Sequence, residues 1–112
     1  MISEPLKSVH WHGDTLEVTR EFPRNARVSI GSELYLLQLG QAPLHSRPIP
    51  GVGRGVWEIR IKDQSGAFRV FYVIRRHDGI HVLHAFQKKT RKTRKSDIEI
   101  GKLRYRAALR TN

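Results

Sequence analysis

Basic side chains are the residues of this sequence whose type and spacing could do chemistry. Residues 88–95 read KKTRKTRK, six basic residues in eight, and Arg60, Lys62 and Arg69 stand earlier among apolar residues. Guanidinium and ammonium groups bind phosphate oxygens, and they stabilise the negative charge that builds on phosphorus during phosphodiester cleavage. RNA carries its own nucleophile, the 2′-hydroxyl, so such a set could bind RNA and also cut it without a metal ion.

The net charge is concentrated in one half of the chain. The 112 residues include 21 Lys and Arg against 10 Asp and Glu, a formal net charge of +11. Residues 57–112 hold fifteen basic and five acidic residues, which places +10 of that charge in the second half. Solubility alone would not require this segregation. We therefore expect a polyanionic partner, although residues 88–95 taken alone could equally be a solvated, mobile segment.

Other chemistries have little support in the sequence. There is no cysteine, which excludes a disulfide framework, a thiolate zinc site and a cysteine nucleophile. Of the six histidines, His10 and His12 fall on an expected edge strand, while His81 and His84, three residues apart on another strand, should point to opposite faces. The glycines of residues 51–55 precede a strand instead of joining a strand to a helix, as a nucleotide-binding loop would. We expect neither a metal ion nor a cofactor.

The length and hydropathy of the chain predict a single domain, residues 1–112, without a membrane partner. No stretch approaches the roughly 20 consecutive apolar residues that span a bilayer, so we expect a cytoplasmic protein. In the first half, the alternation of residues 9–12 predicts a short edge strand that ends at Gly13. Asp14 and Glu17 resemble a capping box that opens a helix over residues 15–22. After Pro23, a stripe at helical spacing predicts a second helix that ends near Gly40, with Ala26, Ile30, Leu34 and Leu37 on its apolar face.

The second half changes to the twofold periodicity of strands. Residues 41–55 are rich in proline and glycine and predict an irregular connection. Three strands follow, over residues 57–62, 68–76 and 80–86. Ser96 and Glu99 make a capping box before a final helix, whose apolar residues are Ile100, Leu103 and Ala107.

These elements predict an α+β fold in which an N-terminal helical hairpin packs on a small antiparallel sheet, in the order β-α-α-β-β-β-α. We expect the other face of the sheet to stay open and to carry Arg60, Lys62 and Arg69, because alternation places them away from the hairpin. The aromatic side chains of Phe71, Tyr72 and Phe86 could stack on unpaired bases or, as is more common in strands so apolar, belong to the core.

Several segments together resemble a known family. They read EFP at residues 21–23, VWEIRIKD at 56–63, FRVFYVI at 68–74, VLHAFQKKT at 82–90 and KSDIEI at 95–100. With them the chain resembles the RelE/HigB superfamily of bacterial toxins, specifically its phage-derived HigB-like branch. The resemblance implies a RelE-like fold and the toxin of a type II toxin–antitoxin pair, a metal-independent endoribonuclease that enters the ribosomal A site and cleaves mRNA. Its partners would be the ribosome, mRNA and a cognate antitoxin, commonly a helix-turn-helix protein.

The resemblance also implies roles for individual residues. The superfamily's catalytic work falls on basic residues of the second-half strands, and some relatives use histidines or a tyrosine near the C-terminus; here Tyr105 lies farther along the last helix than that position. The candidate catalytic residues are Arg60, Lys62, Arg69, His84 and Lys89, with Lys62 as the first candidate for the general base. The candidate RNA-binding residues are Lys88, Arg91, Lys92, Arg94 and Lys95. The alternative is a non-catalytic RNA- or ribosome-binding module, or a degenerate toxin kept for protein contact.

Overall fold

A five-stranded sheet lies at the centre of residues 5–110, the part of the chain that the computed structural model describes. In chain order the elements are β1 (Val9–Trp11), α1 (Thr15–Glu21), α2 (Arg24–Gln38), β2 (Ser46–Pro48), β3 (Val56–Asp63), β4 (Gly66–Arg75), β5 (Gly79–Lys88) and α3 (Lys95–Arg110). Helices lie on both faces of the sheet. The predicted α+β class is confirmed, and the arrangement is compatible with a RelE-like fold. Among the described residues, no helix combines the length and hydropathy needed to cross a membrane.

The sheet differs from the predicted one at both of its edges. Its strand order is β1-β5-β4-β3-β2, and it is mixed because β1 pairs in parallel with β5 while the other neighbours are antiparallel. The second difference is β2, which forms inside the segment expected to be irregular. Its Pro48 stands on an outer strand, where the missing N–H removes no ladder bond. Three residues of pairing are too short a pattern for periodicity to reveal.

The predicted helical hairpin covers one face of the sheet. Phe22 of the α1–α2 corner and the apolar stripe of α2 pack against side chains of β3, β4 and β5. The stripe residues Ala26, Ile30, Leu34 and Leu37 are all buried, as their spacing predicted. Asp14 is the N-cap of α1, as predicted, but its side chain does not form the capping bond that a capping box implies. Its carboxylate instead binds Arg104 of α3 at 3.1 Å, an ion pair that the local sequence does not reveal.

The third helix covers part of the face that was predicted to stay open. Val56, Phe71, Val73, Leu83 and Phe86 form a second core on that face. The residues that α3 contributes were also predicted wrongly: Ile98, Gly101, Tyr105 and Ala108 face the sheet, whereas Leu103 is 64% exposed. The helix begins at Lys95, so Ser96 lies in its first turn and not at its cap. The predicted and the observed residues of α3 both recur at helical spacing, so spacing alone does not choose between them. The observed face includes Gly101, which lets the helix lie close to Phe71 of the sheet.

An irregularity in β5 overturns the prediction that His81 and His84 face opposite sides. The register between β4 and β5 shifts next to Phe71, so that His84 pairs with Phe71 and His81 pairs with Val73. Phe71 and Val73 lie two residues apart on β4, so their side chains point to the same face. Directly paired residues also point to the same face, so each histidine shares the face of its β4 partner. Both histidines therefore lie on the α3 side of the sheet. One extra residue in the bulged strand reverses the expected parity.

A cluster of histidines joins β1 to the rest of the sheet. The Nε2 atom of His12 lies 2.8 Å from Nδ1 of His81, and Nε2 of His81 lies 3.1 Å from a carboxylate oxygen of Asp78. The ring of His10 stacks on that of His81 with 4.8 Å between centroids. Burial lowers the pKa of His12, and the neighbouring His81 and His10 lower it further. Within residues 5–110, no group of three or more His, Cys, Asp or Glu side chains could hold a metal ion.

We expect stability to fall on mild acidification because of His12. Its pKa is lowered in the folded protein from the ordinary value of 6.5, so near that pH the unfolded chain binds more protons than the folded one. The free energy of unfolding should therefore decrease as the pH falls from about 7.5 to about 5.5, and His12→Gln should reduce that decrease. Urea titrations at both pH values measure it, with His77→Gln in the exposed β4–β5 turn as control. An unchanged pH dependence in His12→Gln would contradict the assignment.

The contact between α3 and the sheet requires a glycine at position 101. A Cβ atom there would lie 2.9 Å from Cδ2 of Phe71 and 3.0 Å from Cγ1 of Val52. Gly101→Leu should lower the free energy of unfolding by about 1–3 kcal/mol, the usual effect of overpacking. Gly31→Ala is the matched control, since that helical glycine has nothing within 4 Å and alanine should stabilise α2 by up to about 1 kcal/mol. Equal urea midpoints for Gly101→Leu and the parent would show that α3 does not pack this closely.

Candidate nucleic-acid interface

Three rows of side chains cross β3, β4 and β5 on the face that α3 partly covers. In register they are Glu58, Phe71 and His84; Arg60, Arg69 and Phe86; and Lys62, Ala67 and Lys88. Phe71 and Phe86 lie in the core beneath α3, whereas Arg60 and Lys62 are exposed. Neighbouring strands are about 4.8 Å apart, so the cations of the second and third rows lie close together. The predicted candidates of three strands therefore meet at one end of the sheet.

A buried carboxylate organises the arginines of this end. The side chain of Glu58 is 2% exposed, and its oxygens lie 3.6 Å from Nε of Arg47, 3.8 Å from Nε of Arg60 and 3.7 Å from Nε of Arg69. We call these four residues the Glu58 cluster. Arg69 is the buried cation of the three, at 8% side-chain exposure, and its Nη1 also donates to the Phe68 carbonyl at 3.2 Å.

The charge of Arg69 is set by opposing effects. Burial lowers the pKa of its guanidinium, Glu58 raises it, and Arg60 and Arg47 lower it. An arginine stays protonated in proteins despite such shifts because its ordinary pKa lies far above neutral pH. Arg69 is therefore a fixed cation in a partly desolvated position, held in place from two sides.

Sequence reasoning missed Arg47, and its position depends on a second buried carboxylate. The Glu33 side chain on α2 is 2% exposed and accepts hydrogen bonds from the backbone N–H groups of Leu44, at 3.0 Å, and His45, at 2.5 Å. The His45 carbonyl in turn accepts from the Arg60 N–H at 2.7 Å. These bonds fix the chain where β2 begins. The sequence did carry a signal that Glu33 is buried, because this residue lies three positions after Ile30 and four before Leu37, on the buried stripe of α2.

The exposed cations of the Glu58 cluster line a groove beside β2. Its volume is about 350 Å³, and its lining residues are Leu44, His45, Ser46, Arg47, Arg60, Lys62 and Arg69. No acidic residue is among them. A groove with four cationic side chains and no acidic lining is suited to a phosphate group or another compact anion.

The residues 88–95, here the basic segment, form an ordered turn and line a second cavity. The Lys88 ammonium donates to the Arg91 carbonyl at 2.6 Å, and the Thr90 hydroxyl donates to the Lys92 carbonyl at 2.6 Å. These bonds argue against a loose tail. The cavity has a volume of about 320 Å³, and its lining residues are Phe86, Gln87, Lys88, Lys89, Thr90, Arg94, Ser96 and Asp97. Of the other candidates, Arg91, Lys92 and Lys95 are exposed on the segment and line neither cavity.

His84 is placed beneath this surface. Its side chain is 9% exposed, and its Nε2 lies 2.7 Å from Oδ1 of Asp97 in the first turn of α3. Its ring stacks on Phe86, with centroids 5.0 Å apart and planes 22° apart. The pair joins β5 to the start of α3 and so fixes both ends of the basic segment. Phe71, Tyr72 and Phe86 are no more than 8% exposed, which favours the core role for these aromatic side chains over base stacking.

Comparison with known proteins identifies the family. The family model for Phage derived protein Gp49-like (DUF891) matches residues 17–106. The chain belongs to this Gp49-like family. The match includes Glu33, the whole Glu58 cluster and the basic segment, and the family is associated with RelE-like and other toxin-like proteins. No curated protein matches the chain. The Gp49-like family thus indicates a phage-derived, toxin-like protein.

We expect Glu58→Gln to destabilise the protein strongly. The amide would leave the Arg69 guanidinium buried without its counter-charge, which costs about 3 kcal/mol or more in such pairs. Glu99→Gln is the control, because Glu99 is 53% exposed and pairs with Lys102 at 3.7 Å on the surface of α3; it should change stability by less than about 0.5 kcal/mol. Urea unfolding monitored by circular dichroism compares them. Equal effects of the two substitutions would contradict a structural role for the Glu58 cluster.

Proposed function

We propose that this Gp49-like protein is the toxin of a type II toxin–antitoxin pair, of the HigB-like branch. In this proposal it is a metal-independent, ribosome-dependent endoribonuclease that cleaves translated mRNA in the A site and so inhibits translation in the cytoplasm. The observation that carries the proposal is the groove lined by Arg47, Arg60, Lys62 and Arg69, in which the three arginines converge on buried Glu58. The family match and the resemblance of the second-half strands support it.

The proposed reaction uses the 2′-hydroxyl of the RNA itself. Its oxygen attacks the adjacent phosphorus, the bond from phosphorus to the 5′-oxygen breaks, and the products are a 2′,3′-cyclic phosphate and a free 5′-hydroxyl. A base must accept the 2′ proton and an acid must protonate the leaving 5′-oxygen. Lys62 is the candidate acceptor of the 2′ proton, and Lys89 is the candidate donor to the leaving oxygen. Arg60 and Arg69 would bind the non-bridging oxygens as negative charge increases.

The rigidity of Arg69 supports this role. A cation that already points at the site needs no reorganisation when the transition state forms, and it acts more strongly where water is partly excluded. The contacts with Glu58 and with the Phe68 carbonyl supply that rigidity. His84 has a different place in the proposal: bound to Asp97 and largely buried, it orients the first turn of α3 and the basic segment.

The basic segment would dock the RNA backbone. Lys88 stands in the same row as Lys62, with Ala67 between them, and Arg94 lines the neighbouring cavity. Arg91, Lys92 and Lys95 are exposed around them. Each phosphate that such a cation neutralises releases counterions, so binding to the ribosome or to RNA should weaken steeply as salt increases.

The alternative function is a basic RNA- or ribosome-binding module without catalysis. The observation in its favour is the position of His84, which is bound to Asp97 and lines neither the groove nor the cavity beside the basic segment. The alternative keeps every phosphate contact of the groove and lacks only the proton transfers.

Expression of the chain without an antitoxin separates the two functions. The toxin should arrest growth and produce breaks within the translated frames of mRNA, mapped by primer extension or 5′-end sequencing. A docking module would bind ribosomes and leave transcripts intact. Abundant folded protein with unbroken mRNA and normal growth would overturn the proposed activity.

Substitution of Arg69 tests the mechanism. We expect Arg69→Ala to reduce cleavage by about 10²–10³-fold, the usual loss on removing a donor that stabilises transition-state charge, while ribosome binding changes little. Arg69→Lys keeps the buried charge without the forked geometry and should fold even if Arg69→Ala does not. Arg20→Ala on the exposed side of α1 is the control. A parallel loss of binding and cleavage in Arg69→Lys would assign the residue to docking.

A further inference from the structure

An apolar groove lies at the other end of the strands that carry the Glu58 cluster. Trp57 and Ile74 border it with 38% and 44% of their surfaces exposed, and Leu37, Pro43 and Tyr72 complete its apolar wall. Its volume is about 350 Å³. Trp57 and Ile74 are large apolar side chains at strand ends, where the hairpin no longer covers the sheet.

A second, larger cavity lies next to Ile74, which borders both cavities. It has a volume of about 680 Å³ and includes Val73 and Leu109. Leu109, in the last turn of α3, is 48% exposed. We call the surface formed by Trp57, Ile74 and Leu109 the apolar band. Large exposed apolar side chains that border two neighbouring cavities are typical of a surface that binds a partner.

The edges of the apolar band are cationic. Lys7 lines the first cavity, and Arg54 and Arg76 line the second. The acidic residue among the two linings is Asp78, whose carboxylate lies 3.9 Å from Arg75 and 3.1 Å from His81. A ligand in the band would therefore meet apolar side chains in the middle and positive charge on both sides.

The apolar band is separate from the candidate nucleic-acid interface. Trp57 precedes Lys62 by five residues along β3, a span of about 17 Å at the usual rise per residue. Trp57 and Ile74 lie on the hairpin face, since they pair with Tyr72 and Ile80 of the core beneath the hairpin. Leu109 and Val73 lie on the α3 face, so the band passes around the end of β4 and is separated from the cluster by distance along the strands. A partner on the band would leave Arg60 and Lys62 uncovered.

We propose that the apolar band docks an acidic, amphipathic segment of a partner protein. Large apolar side chains of that segment would enter the two cavities on either side of Ile74, and its carboxylates would face Lys7, Arg54 and Arg76. The walls are mostly aliphatic, with Leu37, Pro43, Val73, Ile74 and Leu109 beside the exposed indole of Trp57. Such walls favour apolar peptide side chains over RNA bases, which stack on a series of aromatic faces. Two copies of this chain, each with a net charge of +11, would repel one another across such a contact. The identification of that partner as the antitoxin rests on the proposed function, whereas the docking chemistry does not.

A pair of synthetic peptides tests the proposal on the full chain. Both have 16 residues with leucine at helical spacing; one carries glutamate at the remaining positions and the other carries lysine. The readout is ¹H–¹⁵N NMR, in which the indole N–H of Trp57 reports on the band and that of Trp11 serves as internal control. We expect the glutamate peptide to shift the signals of Trp57, Ile74 and Leu109 and the lysine peptide to leave them unchanged.

Three substitutions sharpen the result. Ile74→Ser should weaken the glutamate peptide at least tenfold, and Arg54→Glu together with Arg76→Glu should do the same. Val28→Ser is the matched control, because Val28 is an exposed apolar residue of α2, 59% exposed, outside both cavities. It should leave the affinity unchanged.

Other occupants give distinct outcomes that would overturn the proposal. These are shifts concentrated in residues 60–69 and 88–95, equal affinity in Ile74→Ser and the parent, an RNA oligonucleotide that moves the Trp57 indole, or a dimer in sedimentation that Ile74→Ser abolishes. The mRNA cleavage assay uses none of these substitutions. Failure of the docking proposal and failure of the proposed nuclease can therefore be told apart.

Discussion

The buried carboxylate of Glu58 lies under three guanidinium groups, and the arrangement of the cationic end of the sheet depends on it. A carboxylate at 2% exposure needs opposite charge nearby. Arg47 comes from β2, Arg60 from β3 itself and Arg69 from β4, so one acidic group ties three neighbouring strands together. Mutual repulsion would otherwise separate the three guanidinium groups. Within this protein, a strongly positive surface is therefore built around a negative centre.

A second constraint divides the same sheet face into an apolar part and a cationic part. Helix α3 approaches where Gly101 has no side chain to keep Phe71 and Val52 away. The His84–Asp97 contact fixes its first turn, and the Arg104–Asp14 contact ties its later part to the start of α1. The helix covers Phe86 of the second row and leaves the β3 end of the last two rows open, so Arg60 and Lys62 stay exposed and Lys88 stays partly exposed. The basic segment is the connection that leads from the open rows into this helix.

Much of this could be read from local patterns. The alternation in residues 57–62 predicted that Arg60 and Lys62 share a face, and in-register pairing with Arg69 follows once the strands are adjacent. The helical stripe of α2 was equally clear. The role of α3 was not, because its residues offer two faces of similar hydropathy and the sheet selects the one with Gly101. The faces of His81 and His84 depended on one extra residue in β5, which no spacing rule locates in advance.

The sequence by itself determined the class of fold, the segregation of charge into the second half and the membership of Arg60, Lys62 and Arg69 in one surface, because periodicity and composition are local properties of a chain. Only the tertiary structure decided that Arg47 joins them, that Glu58 holds them, that His84 lies beneath the surface and that Trp57, Ile74 and Leu109 form a band. Each of these depends on contacts between residues far apart in sequence. Such contacts are set by how the elements pack, and packing leaves no periodic trace in the chain.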